Sequence, residues 1–174
     1  AMGRGCEVHN NQALNLNPVS SNYWCSGFYV DSWVGRDIVV RDNRFLNVYV
    51  GIYYSSAGGN TTNLSILNND ITYTGRGIGV EAPKMTRYMG IRIDGNVVSP
   101  AGAGAVGEAL RLSGMEQVSA DNNIFDGGGM YDVVVPSNTY PNLDVISFKK
   151  NHNLRGTRLV FGDRANVQVF TDHF

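Results

Sequence analysis

The sequence is poor in the features that mark membrane, metal or nucleic-acid proteins. Its 14 lysines and arginines stand against 15 aspartates and glutamates, a formal net charge of -1. A phosphate backbone calls for a concentrated positive field, so nucleic acid is not an expected partner. No apolar run approaches the ~20 residues of a bilayer-spanning helix, and the start lacks a basic stretch followed by a hydrophobic one. No membrane partner is expected either. The opening Ala1, Met2 and Gly3 read as a cloning remnant, with the natural start and any export signal upstream.

Cysteine is scarce: Cys6 and Cys25 are the two in the chain, and they form no paired metal motif. His9, His152 and His173 are scattered without an i,i+4 pair, so neither a metal nor a cofactor is expected. Cys6 falls on a position expected to face the core, where a buried thiol is the plain reading, with a disulfide to Cys25 as the alternative. Helical periodicity is missing over any useful length.

What the chain has instead is a repeat. Six segments align without gaps: 6–13 (CEVHNNQA), 38–45 (IVVRDNRF), 64–71 (LSILNNDI), 91–98 (IRIDGNVV), 118–125 (VSADNNIF) and 146–153 (ISFKKNHN). The sixth position is always asparagine: Asn11, Asn43, Asn69, Asn96, Asn123 and Asn151, spaced 32, 26, 27, 27 and 28 residues apart. A seventh copy at 167–174 carries Asp172 there. Aliphatic residues at positions one and three alternate with polar ones, the period-two pattern of a strand with one buried face. Between the asparagines runs a second ladder: 27–30 (GFYV), 51–54 (GIYY), 77–80 (GIGV), 109–112 (ALRL), 132–135 (DVVV) and 158–161 (RLVF). A third, shorter strand follows each asparagine.

A period near 27 residues without helices implies a solenoid, each strand pairing with its counterpart one coil along. Aliphatic residues then fill the interior in columns, and the asparagines form a buried ladder along the axis. The 19 asparagines and 21 glycines suit the turns, because both tolerate left-handed backbone. The fold expected is all-β, a right-handed parallel β-helix with three strands per coil and about six to seven coils. It forms one domain over 1–174, with 1–26 an irregular first coil or cap and 27–174 regular coils, and reads as a piece of a longer chain.

The asparagine column and the Gly-Ile-x-Val strands resemble the pectate-lyase-like superfamily of right-handed β-helices, over almost the whole chain. That superfamily includes polysaccharide lyases, glycoside hydrolases, uronate epimerases and phage tailspike depolymerases. The resemblance implies a polysaccharide partner, with an extracellular (secreted) or virion-surface location and a tailspike-like homotrimer. It also implies that substrate lies along the outer face of the Gly-Ile-x-Val column.

The outward positions of that column are Tyr29, Tyr53, Gly79, Arg111, Val134 and Val160, followed two residues on by Asp31, Ser55, Glu81, Ser113, Pro136 and Gly162. Stacked tyrosines offer flat apolar surfaces with a hydroxyl handle, suited to sugar rings, or simply cover the sheet. Asp31 and Glu81 fall two coils apart, ~9.6 Å by strand spacing, near the upper limit for an inverting acid and base pair. Arg111, flanked by Glu81 and Glu108, suits an acidic sugar's carboxylate or an inter-coil salt bridge. Arg76, Lys84 and Arg87, assigned to loops near the same end, add positive charge, and 81–90 (EAPKMTRYMG) suits a cleft wall. The catalytic candidates are therefore Glu81, Asp31 and Arg111, and the substrate-binding ones Tyr29, Tyr53, Arg76, Lys84 and Glu108.

The resembled enzymes' motifs are missing. The polygalacturonase aspartate, Gly-His-Gly and Arg-Ile-Lys set is absent, as are the epimerase Asp-Pro-His-Asp element and the pectate-lyase calcium carboxylates. Two functions stay open: a polysaccharide-processing or -binding domain acting on an extracellular acidic glycan, or a non-catalytic shaft or glycan-binding module.

Overall fold

A computed structural model of the chain describes residues 3–15, 25–31, 35–55, 60–82, 88–102, 107–114, 117–128, 131–135, 144–153, 158–161 and 167–171. These contain strands, bends and turns but no helix, and every strand pairing is parallel. Parallel neighbours that lie about one repeat apart in sequence make the chain a β-solenoid.

One sheet is built from the asparagine repeats. Gly3–Arg4 and Glu7–His9 pair with Gly35–Arg41, and the sheet continues through Thr61–Leu67, Ile91–Asp94, Gln117–Asp121, Asp144–Lys149 and Val167–Thr171. The other sheet holds both remaining strand types. In two coils these fuse into single long strands, Arg44–Ser55 and Asp70–Glu81, while later coils keep them apart, as in Val97–Pro100 and Glu108–Ser113. The three expected strands per coil thus form two hydrogen-bonded sheets. Register shifts between Phe45 and Val48 and between Val48 and Val50 mark where the long strands bend.

Coils described through all their walls number about three, against the six to seven expected. The asparagine sheet carries a described strand for each repeat, so the difference lies in how many coils have all their walls among the described residues.

The interior follows the period-two reading. Ile38, Leu64, Ile91 and Val118 stack in one row and Val40, Ile66, Ile93, Ala120 and Phe148 in the next, all buried. The second sheet supplies Phe45, Ile71, Val98 and Phe125 and, further along, Ile52, Ile78, Leu110 and Val133. Each valine, leucine, isoleucine or phenylalanine among them contributes about 1.5–3 kcal/mol on burial. Tyrosine enters this core as well: Tyr54 packs edge-on against Tyr88 at 5.7 Å and its hydroxyl lies 3.1 Å from Thr61 Oγ1. Tyr73 donates its hydroxyl to the Asp126 carbonyl at 2.9 Å.

The asparagine ladder runs unbroken from Asn11 to Asn151. From Asn43 onward each side-chain oxygen accepts from the backbone N–H and the amide of the asparagine one coil before, as Asn96 Oδ1 does from Asn69 at 2.9 Å for both. From Asn43 onward each amide also donates to a strand carbonyl of the previous coil, Asn96 to Ile66 at 2.9 Å. The residue before each asparagine sits in left-handed backbone: Asn10, Asp42, Asn68, Gly95, Asn122 and Lys150, with φ between 52° and 68°. The corner is therefore a backbone turn whose freed groups the ladder satisfies.

Cys6 corrects the expectation of a core thiol. It is exposed, Cys25 is half-buried, and both are free. No described coil lies beyond the first one to cover Cys6, so the inward direction there is not an enclosed interior.

Candidate functional site

The outer face of the second sheet carries the expected column in register. Tyr29 pairs with Tyr53, Tyr53 with Gly79, Gly79 with Arg111, Arg111 with Val134 and Val134 with Val160. The flanking column runs Asp31, Ser55, Glu81, Ser113 in the same way. In-register parallel stacking places like positions about 4.8 Å apart, so the spacing follows from the repeat itself.

Tyr29 and Tyr53, both half-buried, stack with ring centroids 5.4 Å apart and an interplanar angle of 17°. The next rung is Gly79, and the room left by its missing side chain is taken from two sides. The Tyr53 ring edge and the Arg76 side chain both come within 3.1 Å of where a Gly79 Cβ would stand. The aromatic surface thus runs directly into a charged cluster.

That cluster is a closed ring of two arginines and two glutamates. Arg76 pairs with Glu81 and, at 3.1 Å, with Glu108; Arg111 pairs with Glu108 at 2.7 Å and with Glu81 at 3.5 Å. The four side chains are between 13% and 27% exposed, so the ring is sunk into the surface while remaining reachable. Burial alone would raise the Glu108 carboxyl, but the Arg76 and Arg111 guanidiniums outweigh it and hold Glu108 below the ordinary carboxylate range. Arg76 corrects its loop assignment: it lies within the strand Asp70–Glu81, paired with Val50. The fused strand explains this, since it carries straight through the position where a break between two strands was expected.

A close backbone approach sets the ring's geometry. Gly107 has φ +140°, and a Cβ there would overlap the Gly75 carbonyl oxygen. Only glycine lets the chain enter Glu108–Ser113 so near to Asp70–Glu81, and that proximity brings Glu108 onto Arg76.

Asp31 ends the strand Ser26–Asp31 and lies two rungs from Glu81, but its side chain falls outside the described residues, as do Lys84, Arg87 and the rest of 83–87. Val134 departs from its expected exposure: only 8% is open. The opposite sheet presents Glu7, His9, Arg41, Arg92, Asp94, Asp121 and Lys149 outward, with local pairs such as Arg92 to Asp94 at 2.5 Å. A cavity of about 310 Å³ beside Ile91, Arg92, Val118 and Ser119 lies on that sheet, away from the tyrosines. Among the described residues no group of three histidines, cysteines or acidic residues is placed to hold a metal.

No protein-family model, no curated protein and no solved structure matches the chain.

Proposed function

We propose that this chain is a glycan-binding β-helix module of the pectate-lyase-like kind, working outside the cell or on a virion surface. The observation that carries the reading is the stacked Tyr29–Tyr53 pair leading into the Arg76, Glu81, Glu108 and Arg111 ring on one outward face. Sugar rings offer an apolar C–H face and an equatorial belt of hydroxyls. Parallel tyrosines meet the first and a fixed array of carboxylates and guanidiniums meets the second.

Binding fits this face better than bond cleavage. A general acid must hold a proton near neutral pH, and Glu108, kept ionised by two guanidiniums, holds none. Glu81, the catalytic candidate among the described carboxylates, is engaged by both arginines as an ion-pair partner.

The test is affinity measurement on a panel of oligosaccharides for the wild type and Tyr53→Ala, with reducing ends and unsaturated products followed in parallel. A panel member bound by the wild type and at least tenfold weaker in Tyr53→Ala supports the reading. New reducing ends would replace binding with depolymerisation, and absence of any binding would remove the glycan function.

The alternative is a structural shaft, assembled as a homotrimer, and the apolar Val134 and Val160 on the same column favour it. A trimer contact there gains little from Val134, which one chain already buries. Sedimentation at micromolar concentration separates the readings: a monomer speaks against the shaft.

A further inference from the structure

The charged ring also bears on which glycans this face accepts, an inference that rests on the glycan-binding reading. An arginine placed for an acidic sugar has a free edge of its guanidinium fork aimed at solvent and no internal carboxylate across it. Here both guanidiniums already face internal carboxylates. Arg76 and Arg111 are each shared between Glu81 and Glu108, so two positive charges face two negative ones within a single ring. A uronate carboxylate that reaches the outer N–H groups of Arg111 sits beside both glutamates, a like-charge contact that disfavours such a partner.

Neutral sugars meet no such barrier. Hydroxyls both donate and accept, so a diol can donate to Glu81 or Glu108 and accept from the outer guanidinium N–H groups without breaking a pair. The adjoining Tyr29–Tyr53 stack asks only for a C–H face.

We infer that the face selects neutral hexose or pentose oligosaccharides and rejects uronate-containing ones, reversing the acidic preference that the arginines suggest in sequence. The ring is a selectivity filter: its glutamates occupy the cations that an acidic sugar would need.

The experiment is calorimetry with neutral gluco-, manno- and xylo-oligosaccharides and with oligogalacturonate and oligomannuronate of matched length, at low salt. The expected result is binding of at least one neutral ligand with at least tenfold weaker binding of the acidic set. Glu81→Gln combined with Glu108→Gln should raise affinity for an acidic ligand tenfold or more, because it uncovers both guanidiniums. A single Glu108→Gln variant serves if the double one fails to fold. Equal or tighter binding of acidic ligands by the wild type would overturn the inference while leaving the glycan-binding reading standing. Silence toward both sets would overturn the two together. No gain in acidic binding by a folded variant would overturn the filter.

Discussion

Replacing Asn96 with alanine isolates what the asparagine ladder contributes. Asn96 is fully buried, accepts from the Asn69 N–H and amide at 2.9 Å each, and donates to the Ile66 carbonyl at 2.9 Å and to Asn123 Oδ1 at 3.0 Å. Removing its side chain strands two groups in particular, the Asn69 N–H and the Ile66 carbonyl lone pair that faced the amide. The Asn69 amide keeps Val40 and Asn123 Oδ1 keeps the Asn96 backbone N–H. At about 1–3 kcal/mol for each stranded buried group, the loss is about 2–6 kcal/mol, a large part of a typical domain's stability. With a urea m-value near 2 kcal/mol per molar, the midpoint falls by about 1–3 M. Asn11→Ala is the comparison, because the Asn11 amide donates to Asn43 Oδ1 at 3.1 Å and to the His9 carbonyl at 3.0 Å at an exposed position, where water replaces what is lost. Its cost stays within about 0.5 kcal/mol. Urea unfolding followed by circular dichroism reads both. A loss below about 1 kcal/mol for Asn96→Ala, or equal losses at the two sites, would refute the claim that burial gives the ladder its worth.

Two further outcomes follow from the same geometry. Gly77→Ala places a methyl onto Val98 Cγ1 and the Ala109 carbonyl oxygen, a backbone contact that cannot rotate away, and should cost about 1–3 kcal/mol or more by urea midpoint. Glu108→Gln should lose stability at neutral pH and converge on wild type in acid. The folded carboxyl sits below its ordinary value of 4.5, so its contribution is present above that value and fades as pH falls through the lower, folded one. Urea midpoints at about pH 7 and about pH 3 measure the difference, and a gap that widens on acidification contradicts the pairing.

The fold was legible because a β-solenoid writes its architecture into the sequence as a period. Once Asn43, Asn69, Asn96 and Asn123 line up, the register of every column follows, and Tyr29, Tyr53, Gly79 and Arg111 fall into one row without any knowledge of distance. What the period did not carry was the end of the stack. Cys6 occupies the same repeat position as Ile38 and Leu64, yet it is exposed because enclosure depends on a neighbouring coil and not on the residue's own pattern. The fusion of two strands through Arg76 was hidden for a related reason: Thr74, Gly75 and Arg76 look like a turn, and only pairing with the flanking long strand holds them extended.

The candidate site was half visible, and the missing half changes its meaning. Sequence register places Glu81 beside Arg111, but Arg76 reaches both glutamates because Gly107 admits the next strand against Gly75. In sequence Arg111 stands alone between the two carboxylates and suits an acidic sugar's carboxylate or an inter-coil salt bridge. Two arginines between the same carboxylates leave no net charge and no unpaired cation. The second guanidinium, supplied from the middle of the strand Asp70–Glu81 where no loop was needed, closes the ring and brings its formal charge to zero.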